Sequence, residues 1–224
     1  MKNLFSYDSK LVSVLSFIGD LLLVNISFLL CCFPIFTIGA AQAGLHNAMR
    51  ILLDPLDGRS PVKGFFRGFI SGFGRITLAW LLFLVIDGVL GYTLYMSFTY
   101  ADTGLFVPWG IPLAAIGVAV VYQCVMSLFH SQFGCTFGQL LRNSAMMLLW
   151  HPLASVLTGV LMCIPPVIFL MNPNLFVEIT PLFLTLYFSI AACLCHLLTR
   201  KAFKMLIDNF NNPDGEEPQK EIEN

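Results

Sequence analysis

Asp20 and Asp87 are the residues whose type best fits them for chemistry, because each is a lone carboxylate inside a long apolar run. An ionisable side chain well inside a membrane helix is costly and is by default a sign of function, such as relaying a proton or meeting a cation. The competing role is structural, a hydrogen bond across helices to an amide such as Asn25. No base is paired with either acid in the apolar runs, so the structural role is the expectation. Four histidines, His46, His130, His151 and His196, also draw attention, together with Cys124, Cys193 and Cys195. None of them shows the i, i+4 or C-x-x-C spacing that specifies a metal site, so no metal or cofactor is expected. Gly68-x-x-x-Gly72-x-Gly74 lacks the Lys-Ser/Thr that completes a phosphate loop, and no nucleophile with a positioned base can be named. The chain is therefore read as having no catalytic residue and as not being an enzyme.

The elements that must position these residues follow from composition. The 224 residues are 57% hydrophobic and 11% charged, with 21 Phe, where a soluble domain carries roughly 25% charged residues. The fold class expected is all-α: a polytopic membrane helix bundle forming one domain over 1–210, followed by an acidic, disordered tail over 211–224. Apolar runs place helices at about 11–33, 35–53, 76–98, 108–130, 145–170 and 179–199. The pair Pro165-Pro166 should kink or stop the fifth. The second is weak, being interrupted by Gln42, His46 and Asn47 and ending near Arg50. Six spanning helices are expected, with five plus one re-entrant segment as the alternative.

Between the first two helices, Pro34 cannot donate a backbone hydrogen bond and pushes Phe33 out of helical geometry, so a helix must end or kink there. Thr37 is placed to cap the next helix with its hydroxyl. Gly39, Ala40, Ala41, Ala43 and Gly44 then give that helix a thin face for close packing. Farther on, Phe65, Phe69 and Phe73 recur every fourth residue while Lys63, Arg67 and Ser71 point elsewhere, the pattern of an interfacial amphipathic helix around 62–74. With six spans and both termini cytoplasmic, all twelve Lys and Arg fall on the inner side, which the positive-inside rule prefers. Anionic lipid is the default partner of the basic 59–75 stretch, and nucleic acid is not expected.

Asn25, the turn Phe33-Pro34-Ile35-Phe36-Thr37-Ile38-Gly39, the small-residue helix to Met49-Arg50, and Phe65-Phe66-Arg67-x-Phe69 together resemble the bacterial YesL family of membrane proteins, which carry a domain of unknown function. Pro34, Thr37 and Gly39 match that family's P-x-x-T-x-G pattern, whereas Leu45 and His46 stand where it commonly has aromatic residues. The likeness covers about residues 10–85. It implies a multi-pass protein of the bacterial cytoplasmic membrane, with genes often near carbohydrate uptake systems, and brings no known activity. Two functions are carried forward. One is an accessory or regulatory component of oligosaccharide uptake, partnered by the bilayer, by sugar ABC-transporter subunits or by further copies of itself. The other is a small solute transporter or channel using Asp20 and Asp87.

Overall fold

The computed structural model describes residues 10–54, 60–100, 108–134 and 136–211, with side chains left undescribed at 10, 11, 201, 202 and 206–211. Arg59, and the tail expected over 211–224 past its first residue, lie outside these. The described residues form eight α-helices: α1 (Lys10–Cys32), α2 (Ile38–Leu53), α3 (Pro61–Thr99), α4 (Gly110–Gln132), α5 (Phe137–Trp150), α6 (Pro152–Met171), α7 (Pro173–Leu182) and α8 (Phe188–Asn211). A 3-10 turn (Ile35–Thr37) joins α1 to α2, and a π-helical turn (Phe183–Tyr187) joins α7 to α8. The all-α bundle expected from the apolar runs is what forms, and five helical stretches are long and apolar enough to cross a membrane.

The second helix is not among the five. α2 has 16 residues, about 24 Å of helix against the ~30 Å hydrocarbon core. Its residues 39–41, 43–49 and 51 are all buried, so protein rather than lipid surrounds it. One apolar cluster on it joins Leu45 and Met49 to α1, α3 and α8 through Leu21, Val24, Phe65 and Cys195. A second joins Ala43 to Ile76, Val125 and Leu140 on α3, α4 and α5. This enclosure explains how Gln42 and Asn47 are tolerated, since a polar group facing protein finds partners that lipid cannot offer.

Contacts fix the directions of the helices. Asn25 on α1 meets Phe183, Leu184 and Ser189, and Ser189 meets Leu21, so α1 and α8 run antiparallel with the start of one beside the later part of the other. Farther along α8, His196 meets His46 on α2, so α2 returns the chain toward the end where α1 began. The start of α1 and the end of α8 thus share one end of the bundle, as expected of the two termini. Lys10, Arg50, Lys63, Arg67, Arg200 and Lys204 gather toward it, and it is called the basic end below.

Four expectations are adjusted here. The segment 62–74 is helical but not separate: it is the first part of the 39-residue α3, about 58 Å long and so far longer than one crossing needs. Its Phe65 is buried and Phe69 half-buried against α2, while Phe73 is exposed, because the glycines on its other ridge draw it onto α2. The expected 145–170 helix is broken at His151, whose backbone (φ −128°, ψ 59°) leaves the helical region before Pro152. Of the kink or stop expected at Pro165-Pro166, the stop does not occur, and α6 runs on to Met171. The carbonyl of Leu161, which Pro165 cannot bond, instead accepts the hydroxyl of Tyr187 at 2.6 Å. Finally, Thr37 does not cap α2 through its side chain. Its hydroxyl turns back to Cys31 O and Pro34 O, both at 2.6 Å, and so takes up the Cys31 carbonyl freed where α1 ends.

Candidate functional site

The turn after α1 is where sequence and structure agree most closely. Pro34 has extended backbone (φ −78°, ψ 121°). The indole of Trp80 on α3 donates to Ile35 O at 3.0 Å, holding this apex against α3. Below it, α2 and α3 pack antiparallel through glycines: Gly39 faces Ile76 and Trp80, Ala43 faces Gly72, Gly44 faces Phe65 and Gly68, and Gly64 faces Ile51. A Cβ at Gly39 would lie 2.9 Å from Trp80 Cβ, and one at Gly44 2.8 Å from Phe65 O. The Gly39–Gly44 face is therefore consumed inside the chain and is not free for a partner. Its counterpart Gly64, Gly68, Gly72, spaced by four on α3, is a small-xxx-small ridge that sequence reasoning had assigned to a surface helix.

Asn25 is fully buried on α1. Its Nδ2 donates to Phe183 O (3.1 Å) and Leu184 O (2.8 Å), and its Oδ1 accepts from Ser189 N at 3.2 Å. The π-helical turn shifts the backbone ladder and leaves carbonyls to be satisfied from outside. Thr185 bonds back to Pro181 O and Leu182 O, so two side chains serve four successive carbonyls.

The structure does not bring Asp20 and Asp87 together. Asp20 is half-buried on α1. Asp87 on α3 accepts from Gln123 Nε2 on α4 at 2.6 Å, and its Oδ1 is buried without a hydrogen-bond partner. Gln123 belongs to a stripe that sequence reasoning missed. With Ser127 and Ser131 it forms a polar i, i+4, i+8 ridge on α4, all buried, and that periodicity inside an apolar run was the available signal. Ser127 lies 3.3 Å from Gln42 Oε1 on α2, and Gln132 follows at the end of the helix.

At the basic end the polar groups converge. Gln132 Nε2 lies 3.0 Å from His196 Nδ1, and His196 Nε2 lies 2.7 Å from His46 O. The network assigns the tautomer: the amide donates to Nδ1, and Nε2–H donates to the carbonyl. The His46 ring meets the His196 ring edge-on at 5.6 Å, with neither of its own nitrogens bonded. Asn47 donates to Gly64 O at 2.7 Å and accepts from Arg50 Nη2 at 3.1 Å. Beside this lies a cavity of about 280 Å³ lined by Asn47, Arg50, Arg67, His130 and Gln132, with Ser71 and Ser131. A larger cavity of about 550 Å³, near Pro34, is lined by the apolar side chains of Ile26, Leu29, Leu30, Phe33, Pro34 and Leu184.

No group of three or more His, Cys, Asp or Glu side chains among the described residues is placed to hold a metal ion. The described cysteines are all free thiols, with Cys124 and Cys195 buried like small hydrophobes. A family model described as a protein of unknown function, DUF624, matches residues 21–97, which is the second half of α1, all of α2 and α3 to Ser97. No curated protein and no solved structure matches the chain.

Proposed function

We propose that this membrane-helix protein is a YesL-type component of the bacterial cytoplasmic membrane that acts without catalysis, as an accessory or regulatory partner of an oligosaccharide uptake system. One observation carries this reading. Within the matched stretch four polar side chains are spent on backbone groups that hold neighbouring elements together: Asn25 on the π-helical turn, Thr37 and Trp80 on the apex, Asn47 on α3. That use favours a scaffold over a solute path. The positive-inside rule puts the basic end in the cytoplasm, with the bilayer around the five long helices. With the Gly39–Gly44 face occupied, the docking surface proposed for a sugar-permease or ATPase subunit is the exposed side of residues 61–75, carrying Phe66, Ile70 and Phe73 with Lys63 and Arg67. Pull-down of the tagged chain from native membranes, with cells grown on and off polysaccharide, is expected to recover such a subunit stoichiometrically. The triple variant Phe66→Ala, Ile70→Ala, Phe73→Ala is expected to lose it. Recovery of the chain alone, or only with copies of itself, would overturn the reading.

One observation favours the transporter alternative: the unpartnered Oδ1 of Asp87. On the accessory reading, Asp87→Asn keeps an acceptor for Gln123 and leaves growth on oligosaccharide unchanged. Asp87→Leu strands the Gln123 amide and lowers stability by about 1–3 kcal/mol. Solute flux in proteoliposomes that disappears in Asp87→Asn would shift the assignment to transport.

A further inference from the structure

We infer that the cavity at the basic end binds a phosphate group, carried by a lipid headgroup or by a free phosphorylated solute. Arg50 from α2, Arg67 from α3 and His130 from α4 converge on it, and no Asp or Glu is among its described lining residues. The hydroxyl hydrogens of Ser71 and Ser131 are used on Gly68 O and Leu128 O, so the cationic donors of the two guanidinium groups lead the recognition of an anion in the cavity. Two of these residues hold buried polar atoms without a partner: Arg50 Nε and His130 Nδ1 are enclosed and unbonded. A guanidinium held in an enclosed setting without a counter-charge is destabilising, and an anion in the adjoining cavity offsets that cost.

Asn47 holds one arm of the Arg50 fork at 3.1 Å, which fixes the guanidinium for planar recognition of a tetrahedral anion. The volume of about 280 Å³ lies just under the ~300–1,000 Å³ typical of small-molecule sites, which suits a phosphate and its first substituent rather than an oligosaccharide. The cavity also stands among the cations at the end of the bundle that meets headgroups, so a lipid phosphate and a soluble one can both reach it.

The test uses the full chain, in two arms. In neutral detergent micelles, inorganic phosphate is titrated against chloride at matched ionic strength and the thermal unfolding midpoint is followed. In phosphatidylcholine nanodiscs with and without phosphatidylglycerol, native mass spectrometry reads the lipid retained by the protein. A saturable rise with phosphate supports a soluble source, and selective retention of phosphatidylglycerol supports a lipid one.

In either arm Arg67→Gln, an exposed position unlike the packed Arg50, should weaken the response by about tenfold. Arg67→Lys should retain part of it. Arg142→Gln, on α5 outside the cavity, should leave it intact. The inference is overturned if neither phosphate nor phosphatidylglycerol is distinguished from its control, or if Arg67→Gln and Arg142→Gln behave alike.

Discussion

Gly68→Ala is expected to destabilise the folded chain by about 1–3 kcal/mol, the usual cost of inserting a group into a packed core, and Gly68→Leu to prevent α2 and α3 from closing at all. A Cβ at Gly68 would lie 2.7 Å from Asn47 Cβ, 3.0 Å from Gly44 Cα and 3.1 Å from Ala43 O. Two of these three neighbours are backbone, so no side chain can rotate away to make room. Relief requires the helices to separate, and separation stretches the 2.7 Å bond from Asn47 to Gly64 O as well. Gly74 on the same helix provides the control, because nothing lies within 4 Å of a Cβ built there. Gly74→Ala should be neutral or gain a few tenths of a kcal/mol from helix propensity. Reversible unfolding in mixed micelles distinguishes the two sites, and equal effects at Gly68 and Gly74 would show that the close approach of α2 and α3 is not a source of stability.

Asn25→Leu should be at least as damaging, with a loss on the order of 3–6 kcal/mol. It strands the carbonyls of Phe183 and Leu184 and the amide of Ser189, and each buried backbone group left unpaired costs ~1–3 kcal/mol. Leucine fits the apolar surroundings and the helix propensity of α1, so the loss reads the hydrogen bonds rather than the shape. Asn25→Asp should fail too, because a carboxylate has no donor for the two carbonyls. Hydrogen exchange adds a local readout: amides around the π-helical turn should lose protection in Asn25→Leu before those of the α2–α3 pair. A stability change within ~0.5 kcal/mol, the range of an ordinary surface substitution, would mean that the turn finds other partners and that Asn25 is not its clamp.

These two sites also mark how far sequence reading reached. Asn25 and the Pro34, Thr37, Gly39, Gly44 turn stood out because polar, Pro and Gly residues are conspicuous in apolar runs. Their partners did not, since Phe183 and Leu184 contribute only backbone carbonyls, which carry no signature in side-chain type. The thin face of α2 was legible from Gly39 and Gly44, but its acceptor on α3 was assigned to the membrane surface because Phe65, Phe69 and Phe73 mimic an interfacial stripe. A phenylalanine ridge looks the same in sequence whether it meets lipid or another helix. Asp87 was legible as an anomaly, and Gln123, a neutral amide in an apolar run, was passed over as its partner.

The sequence by itself determined the membrane class, the all-α fold, the break at Pro34 and the gathering of cations at one end. Each of these follows from local rules: apolar length against bilayer thickness, the missing N–H of proline, the cost of moving charge across lipid. Only the tertiary structure decided that α2 is enclosed by protein, that 61–99 is one helix, and that Arg50, Arg67 and His130 from three helices face a single cavity. Those outcomes depend on which face of each helix meets which neighbour, and that is set by long-range packing and by the pairing of buried polar groups, neither of which any local stretch encodes.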